Sequence, residues 1–312
     1  MRGPTAAVWL LGFCAAADSL HRYCQDGSVF WPQKGHRLGA YSFTEATTRF
    51  QYIGGGAFTW VYKARYDGRG AVFKYSQASN SHQTRALAKE LRILRLFARS
   101  PDIVRMYTCV VEGAQLGVVL ERLDYTLEEM IPTLRGYGFP FRLNIYLALS
   151  RAYASLHRSL VYHNDIKPSN VMLRLRPRVQ VKVIDFNTSC FAQELSAGGT
   201  LPLSSPEKIP AGRQCYCSEA VDVWAFLITM AIVESGRSTE HFIAYIPPHC
   251  FKSYMDQECY NQTVATVRWM LAHSPSAFRA HIFGWLTYHP QQRPRMDDIH
   301  QALLVLQQSP TL

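Results

Sequence analysis

The stretch "LVYHNDIKPSNVML", residues 160–173, places a polar turn between two apolar, strand-like runs. The turn brings together an acid, a cation and an amide in Asp165, Lys167 and Asn170. Aspartate and asparagine are also ordinary turn residues, because their side chains bond to the nearby backbone. The rest of the chain has to decide whether this loop serves chemistry or only forms a turn.

Composition sets wide limits on the class of protein. The chain has 312 residues, of which 48% are hydrophobic, so it is long enough for one large domain or two lobes. Its formal net charge of +10 predicts attraction to acidic surfaces, whether nucleic acid, anionic lipid, acidic protein or the phosphates of a nucleotide. Charge alone does not choose among these partners.

The eight cysteines do not form a dense disulfide framework, and no pair has the CxxC spacing. We therefore expect mostly reduced thiols. A zinc site built from Cys215, Cys217, His249 and Cys250 is disfavoured, because these residues lack the two-residue gap that is usual in structural zinc sites.

The amino-terminal segment allows two interpretations. Arg2 precedes an apolar run from Ala6 to Ala17, as in a secretory signal peptide that would be removed after residue 17. The same run fits a short packed helix or the remnant of a longer region, and it is too short to span a bilayer. We assign residues 1–44 to an N-terminal extension and predict no membrane span.

Hydrophobic patterning changes along the chain. Runs of β-branched and aromatic residues broken by turn residues predict strands within residues 50–66, 70–76, 103–111 and 115–123. Apolar residues at helical spacing predict helices within residues 81–100, 141–160, 218–235 and 296–308. Because the strands precede most of the helices, the pattern predicts an α+β protein with two lobes and a cleft between them.

A glycine turn and a lysine suggest a phosphate-binding region in the strand-rich part. Gly54, Gly55 and Gly56 lie in a turn where backbone N–H groups can face an anion without side chains in the way. A glycine-rich hairpin is more often a plain turn. Lys74 strengthens the functional interpretation, because a lysine inside an apolar strand is costly unless it is paired, and Glu90 on the following helix is an available partner.

An ordered series of motifs completes the pattern. In chain order it reads "GGGAFTWV", "VFK", "KELRIL", "HNDIKPSN", "IDFN", "GTLPLSSPE", "VDVW" and "HPQQRP". This series, between Ile53 and Ile299, resembles eukaryotic-type protein kinases. The resemblance implies a bilobal protein kinase-like fold over residues 45–308. Its β-rich N-lobe would cover residues 45–122, its α-helical C-lobe residues 123–308, and ATP would bind in the cleft between them.

The resemblance also implies roles for individual residues. Asp165 would accept or orient the proton of the attacking hydroxyl, and Lys167 would neutralise charge on the transferred γ-phosphoryl group. Thr200 would hydrogen-bond toward both. Asn170 and Asp185 would supply oxygen ligands for Mg²⁺.

The expected ATP-binding residues follow the family pattern. A lysine–glutamate pair would hold the α- and β-phosphates under the glycine turn, and the adenine would lie near the hinge. The residues concerned are Ile53, Gly54, Gly55, Gly56, Ala57, Phe58, Val61, Lys74, Glu90, Glu121 and Leu123.

A rival class keeps a similar loop. Small-molecule phosphotransferases of the aminoglycoside or choline kinase type resemble this chain in carrying His-Asn-Asp or His-Gly-Asp before the catalytic asparagine. Three features favour a protein acceptor: Thr200 in "GTLPLSSPE", an expected ion pair between Glu207 and Arg293, and Asp222 placed to anchor the catalytic loop. Lys167 and Thr200 together resemble serine/threonine rather than tyrosine kinases.

Several positions depart from the family pattern. Asn164 replaces the arginine of His-Arg-Asp, so a phosphate on the activation segment would lack its commonest counter-charge, and we expect activity without activation-loop phosphorylation. Asn187 replaces the glycine of Asp-Phe-Gly, a change that we attribute to the readiness of asparagine to adopt left-handed backbone angles. Thr59 and Leu203 are milder departures. Such changes also allow a pseudokinase scaffold that has lost the chemistry.

A narrower resemblance rests on two short segments. "GRQCYCSEAVDVWAF" and "HNDIKPSNVML" are similar to the serine/threonine kinases shared among herpesviruses, particularly the alphaherpesvirus virion kinase. This would imply a tegument protein that acts on viral and host proteins in the host nucleus and cytoplasm, whereas a cleaved signal would imply the secretory pathway. No motif specifically implies nucleic acid.

Overall fold

The computed structural model describes residues 51–55, 59–76, 81–112, 115–196, 198–208, 215–251 and 256–309. The expected N-terminal extension, with its signal-like run, lies outside these residues. The chain divides into two compact units. The first comprises the residues up to Arg95 together with Arg105–Arg122, and the second comprises Leu96–Val104 together with the residues from Leu123 onward. The first unit is built mainly of strands and the second mainly of helices, which confirms the predicted α+β class.

The described part of the first unit is a five-stranded antiparallel sheet with one helix. Its strands, in the spatial order β1-β2-β3-β5-β4, are β1 Tyr52–Gly55, β2 Trp60–Tyr66, β3 Arg69–Tyr75, β4 Met106–Glu112 and β5 Gln115–Glu121. The helix α1 spans Ser81–Leu96. Alternation along the strands buries Tyr62, Phe73 and Val119 in one cluster, as expected for strands with one face on a core.

The second unit contains seven helices and two small sheets within the residues described. The helices are α2 Leu127–Leu134, α3 Gly138–Arg158, α4 Glu219–Ser235, α5 Thr239–Ala244, α6 Gln257–Met270, α7 Ser276–Trp285 and α8 Met296–Gln307. The strands are β6 Tyr125–Thr126, β7 Val161–Tyr162, β8 Val171–Arg174, β9 Gln180–Val183 and β10 Cys190–Phe191, paired as β6-β8-β9 and β10-β7. Helix α3 packs against α8.

Helix α4 is the centre of the second unit. Fourteen of its 17 residues are buried, in agreement with its nearly uniform apolar sequence, and it ends at Gly236 in the left-handed region (φ 69°). Its buried Glu234 is compensated by Arg142 (Nε–Oε1 2.7 Å) and by the hydroxyl of Tyr146, which donates at 2.7 Å. A buried charge with such partners fixes α3 against α4.

Two disulfides lie wholly within the described residues. Cys190 pairs with Cys217 and Cys250 pairs with Cys259, with Cα–Cα distances of 6.2 and 5.4 Å. The expectation of reduced thiols is therefore wrong for these residues, because folding brings together cysteines whose sequence spacing carried no pairing signal. Cys215 keeps a free thiol.

The disfavoured zinc set does not assemble as one group. Two of its members, Cys217 and Cys250, lie in different disulfides. His249 instead lies beside the Cys250–Cys259 pair. No helix in the described parts of the chain combines the length and apolar character needed to cross a bilayer.

Candidate active site

The loop that contains Asp165, Lys167 and Asn170 lies between β7 and β8. Ile166 is buried inside it, and Val161 and Val171 are buried in the strands on either side, so apolar anchors fix both ends of the polar turn. Pro168 begins a short 3₁₀ turn that ends at Asn170. The buried apolar positions thus hold the polar turn between the two strands.

Three polar side chains converge on the carboxylate of Asp165. Lys167 Nζ lies 2.8 Å from Asp165 Oδ2, and the amide nitrogen of Asn170 donates to the same oxygen at 2.9 Å. The hydroxyl of Thr200 donates to Asp165 Oδ1 at 2.7 Å and accepts from Lys167 Nζ at 2.8 Å. The Asp165 side chain is only 10% exposed, so its oxygens are held in fixed directions before any substrate binds.

Asp222 anchors the backbone of the loop, as the sequence predicted. Its two carboxylate oxygens accept from the backbone N–H groups of His163 and Asn164, each at 2.7 Å. His157 Nε2 lies 2.9 Å from the same carboxylate. Burial would raise the pKa of Asp222, but the hydrogen bond and charge of His157 hold the pKa below its ordinary value, so the anchor stays ionised.

The predicted metal ligands are neighbours. The backbone oxygen of Asn170 accepts from the N–H of Ile184 at 3.0 Å, which places Asp185, the next residue, beside the catalytic loop. The side-chain nitrogen of Asn170 donates to two oxygens of Asp165, so Oδ1 is the atom that Asn170 offers to a cation. An amide oxygen and a carboxylate are hard ligands that fit a divalent ion such as Mg²⁺.

The lysine–glutamate pair forms within the first unit. Lys74 Nζ lies 2.8 and 3.0 Å from the two carboxylate oxygens of Glu90. Both residues are buried, with 6% and 0% of their surface exposed. The cost of placing a lysine in an apolar strand is therefore met by a carboxylate from α1, as the sequence predicted.

The glycine turn is described only in part, because Gly56, Ala57 and Phe58 lie outside the described residues. A Cβ atom on Gly55 would come within 2.8 Å of the carbonyl oxygen of Thr59, so this position requires glycine. Gly54 has φ 158° and open space around it.

The other expected ATP-binding residues differ in exposure. Ile53 is 43% exposed, and Val61 is half-buried. Glu121 and Leu123 are buried, and Glu121 Oε1 accepts from the backbone N–H of Arg105 at 2.8 Å. The Glu121 side chain thus supports the local backbone, and its part in adenine binding stays a prediction.

The backbone angles at Asn187 differ from those expected from the sequence. Asn187 is not among the described non-glycine residues with positive φ, so our reason for its tolerance is wrong. Left-handed angles occur instead at Asn164 (φ 66°) and Asp185 (φ 62°). Asparagine at position 164 therefore suits the conformation of its own site, since asparagine enters the left-handed region more easily than most residues.

The expected ion pair between Glu207 and Arg293 is present. The guanidinium donates to both carboxylate oxygens, at 2.7 and 2.9 Å, and lies 5.0 Å from the ring centre of Trp224. It also donates to the backbone carbonyls of Ala220, Thr287 and Tyr288. One buried side chain thus joins the end of the "SPE" motif to helix α4 and to the "HPQQRP" segment.

Sequence reasoning missed several residues that support the site. Lys208 and Ser196 bond to Asn164, and His157 bonds to Asp222. None of the three had a distinctive signal, because a lysine or serine in a loop and a histidine on an amphipathic helix are common surface features. Their partners are distant in sequence, so only the fold reveals them.

Comparison with known proteins gives the class. The model of the protein kinase domain family matches residues 47–304, and the chain therefore belongs to that family. The class of protein that this family and the fold define is the protein kinase.

Individual relatives are more distant. Wall-associated receptor kinase-like 14 of Arabidopsis thaliana is 28% identical over 224 residues, which cover 69% of this chain and 31% of the relative. Leaf rust 10 disease-resistance locus receptor-like protein kinase-like 1.4, from the same plant, is 28% identical over 284 residues, covering 83% and 42%. Dual specificity tyrosine-phosphorylation-regulated kinase 3 of Rattus norvegicus is 29% identical over 161 residues, covering 49% and 27%. The chain thus spans less than half the length of each relative.

Proposed function

We propose that this chain transfers the γ-phosphoryl group of Mg·ATP to serine or threonine hydroxyls of proteins. The observation that carries the proposal is the cluster formed by Asp165, Lys167, Asn170 and Thr200. It combines a fixed carboxylate with a cation next to it, which are the two groups that an attacking hydroxyl and a transferred phosphoryl group need.

Each member of the cluster has a distinct role in the proposal. Asp165 binds the acceptor hydroxyl and takes its proton, and Lys167 stabilises the negative charge on the phosphoryl oxygens. Thr200 bridges the two, so it links the segment expected to receive the substrate to the residues that act on it. Asn170 fixes the second oxygen of Asp165.

The roles expected in nucleotide binding come from the family resemblance. Lys74, oriented by Glu90, supplies a cation for the α- and β-phosphates, and Asn170 and Asp185 would hold Mg²⁺. A bound magnesium ion supplies charge neutralisation for the triphosphate. The Glu90 carboxylate fixes the position of the Lys74 ammonium group before the reaction.

Two alternatives are less well supported. A pseudokinase would be expected to have lost part of the set, yet Lys74, Glu90, Asp165, Asn170 and Asp185 are all present. A small-molecule kinase does not account for the contact of Thr200 with Asp165 or for the Glu207–Arg293 pair.

The decisive experiment measures phosphate transfer from Mg·ATP to a mixed protein substrate. Asp165→Asn should lower kcat by about 10²- to 10⁴-fold, the usual contribution of a general base, and Lys74→Met should abolish productive ATP binding. Matched controls are Asp67→Asn, at an exposed turn whose left-handed backbone asparagine tolerates, and Lys63→Met, both expected to retain activity.

Other outcomes would identify the alternatives. ATP binding without transfer by the unmodified protein would support the scaffold. Phosphorylation of an added aminoglycoside or choline, with none of protein, would support the small-molecule enzyme. Equal protein phosphorylation by Asp165→Asn and the unmodified chain would exclude the proposed base.

The finer proposal is that the protein is a herpesvirus tegument kinase with viral and host substrates in the nucleus and cytoplasm. It rests on the two short segments "GRQCYCSEAVDVWAF" and "HNDIKPSNVML", and the plant and rodent relatives give it no support. Detection of the protein in purified virions would support it, and a cellular genome around its gene would contradict it. Sequencing the N-terminus of the mature protein shows whether residues 1–17 are removed.

A further inference from the structure

Asn164 is a meeting point for three separate parts of the activation segment, which we define as residues 185–208. Its side-chain nitrogen donates to the carbonyl oxygen of Thr188 at 3.1 Å. Its side-chain oxygen accepts from the hydroxyl of Ser196 at 2.7 Å and from Lys208 Nζ at 2.8 Å. Lys208 Nζ also donates to the backbone oxygen of Asn164, at 2.7 Å. The start, middle and end of the segment are therefore all tied to one residue of the catalytic loop.

Glycine at position 199 lets this arrangement close. Gly199 has φ 98°, and a Cβ atom there would lie 2.5 Å from Lys208 Nζ and 2.7 Å from the backbone oxygen of Asn164. Any side chain would force the ammonium group away from its acceptors. The close approach of segment and loop is thus built into the backbone as well as into the side chains.

The ammonium group depends on these acceptors. Lys208 is half-buried, and its burial lowers the pKa of the amine, against the opposing charges of Asp222 and Asp165. A partly buried cation costs free energy unless oxygens replace its water. Asn164 supplies two such oxygens and is itself only 4% exposed, so the contact is shielded from competing solvent.

We propose that Asn164 and Lys208 are positioning residues that hold the activation segment in its substrate-accepting arrangement without a phosphate group. In kinases switched by phosphorylation, an arginine pairs with a phosphate on the segment. Here the positions of the charged partners are exchanged, because the cation belongs to the activation segment and the oxygen acceptors belong to the loop. The inference rests on the proposed function, since it concerns the position of Thr200 beside Asp165.

The chain connects the Asn164–Lys208 contact to the site where the acceptor hydroxyl would bind. Asn164 precedes Asp165, and its own N–H is fixed by Asp222 at 2.7 Å. Lys208 follows Glu207, which Arg293 holds in place. Loss of the Asn164–Lys208 contact would leave both ends anchored but free the stretch between them, where Thr200 bonds to Asp165.

The test combines kinetics with hydrogen exchange. Asn164→Ala and Lys208→Met should each lower kcat/KM for a protein substrate by about ten- to hundred-fold, the effect of losing charge-assisted hydrogen bonds, with KM for ATP unchanged. The loss in the double variant should be smaller than the sum of the two single losses, because both single variants remove the contact between the Asn164 side chain and Lys208. Amide exchange across residues 188–208 should rise in these variants and not in the control Lys63→Met, while exchange in α4 stays protected.

Phosphatase treatment separates this device from a phosphate switch. We expect the dephosphorylated unmodified protein to keep both its activity and its slow exchange over residues 188–208. Loss of both on dephosphorylation, or variants whose segment exchanges like the unmodified protein, would overturn the proposal. If the unmodified protein transfers no phosphate, the proposed function fails, and the exchange measurements still decide whether Asn164 and Lys208 order the segment.

Discussion

At the scale of single residues, small polar side chains decide how the catalytic loop is built. Asn164 is a departure from the kinase pattern, yet its amide makes contacts that a longer arginine side chain at the same place would have to replace. Asn170 uses its nitrogen to orient Asp165 and leaves its oxygen for a cation. The identity of each amide therefore matters through hydrogen-bond direction, because asparagine both donates and accepts.

Arg293 provides a stability prediction at this scale. Its side chain is fully buried, and Arg293→Met would leave Glu207 and three carbonyl groups without their donor. Since removal of one partner of a buried pair usually costs about 3–5 kcal/mol, and Glu207 is 22% exposed, we expect a loss of roughly 3 kcal/mol in the free energy of unfolding. Urea denaturation measures the loss.

A matched arginine makes the comparison specific. Arg158 pairs with Asp297 at the surface, where its side chain is 55% exposed. Arg158→Met should cost less than about 1 kcal/mol, the usual limit for exposed ion pairs. Equal losses in the two variants would show that burial of Arg293 does not set its contribution.

At the scale of elements, the end of α3 and the start of α4 are joined through charge. His157, on the last turn of α3, lies between two carboxylates of α4. Its Nε2 is 2.9 Å from Asp222. Its Nδ1 is 3.3 Å from Glu219, which is close enough for an ion pair but lacks hydrogen-bond geometry. Burial lowers the pKa of His157, but the two carboxylates outweigh it, and the net pKa is raised above 6.5. The two carboxylates thus favour the protonated form of His157, beside the residue that anchors the loop.

This junction gives a dependence of stability on pH. Because the folded-state pKa of His157 is raised, its contribution is fully present below its unfolded pKa of 6.5 and is lost as the pH rises through the folded pKa. We therefore expect the free energy of unfolding to decrease above pH 6.5, by at most about 1.4 kcal/mol per pH unit from this one group. Urea titrations between pH 6 and pH 8.5 on the unmodified protein and His157→Gln measure the difference.

Comparison of His157→Gln with the unmodified protein isolates the contribution of His157 from those of other titrating groups. His300 has a lowered pKa, so it contributes with the opposite sign in part of the same range, and it is present in both proteins. The difference between the two curves removes it. Parallel curves for the unmodified chain and His157→Gln would contradict the assignment.

Also at this scale, the Cys190–Cys217 disulfide joins strand β10 to the residue before the cap of α4. It therefore brackets most of the activation segment with a covalent link. Two of the residues that bond to Asn164, Ser196 and Lys208, lie inside this bracket. Side-chain contacts and a covalent link thus restrict the same stretch of chain.

At the scale of the whole molecule, the relevant properties are the protein family and the net charge of the chain. The protein kinase domain accounts for residues 47–304, and the chain carries a formal net charge of +10. A positive surface raises the encounter rate with negatively charged substrates, and salt screens this attraction over about 10 Å at 0.1 M ionic strength. Net charge does not bear on the fold itself.

Charge leads to a prediction about substrates. Peptides with acidic residues around the serine should be phosphorylated with a higher kcat/KM than neutral peptides at low salt, and the advantage should shrink several-fold between about 0.05 and 0.5 M NaCl. Steady-state kinetics with a matched peptide pair measure it. An advantage that salt does not change would show that a specific pocket, and not the overall charge, reads the acidic residues.

Much of the fold could be predicted because its signals are local. The long helices α3, α4 and α8 were visible as apolar periodicity, and the strands of the first unit as β-branched runs next to turns. Helices α6 and α7 were not distinguished, because their apolar positions are sparse and buried residues such as Cys259, Val267 and Phe278 are spread among polar ones.

The sequence by itself determined the class of protein and the membership of the cluster around Asp165, because motif order and spacing are properties of the chain. Only the tertiary structure decided the pairing of Asn164 with Lys208, 44 residues apart, and of His157 with Asp222, 65 residues apart. It also decided which cysteines are joined. The physical reason is that such contacts depend on which elements fold against one another, and hydrogen bonds and disulfides act over a few ångströms whatever the separation along the chain.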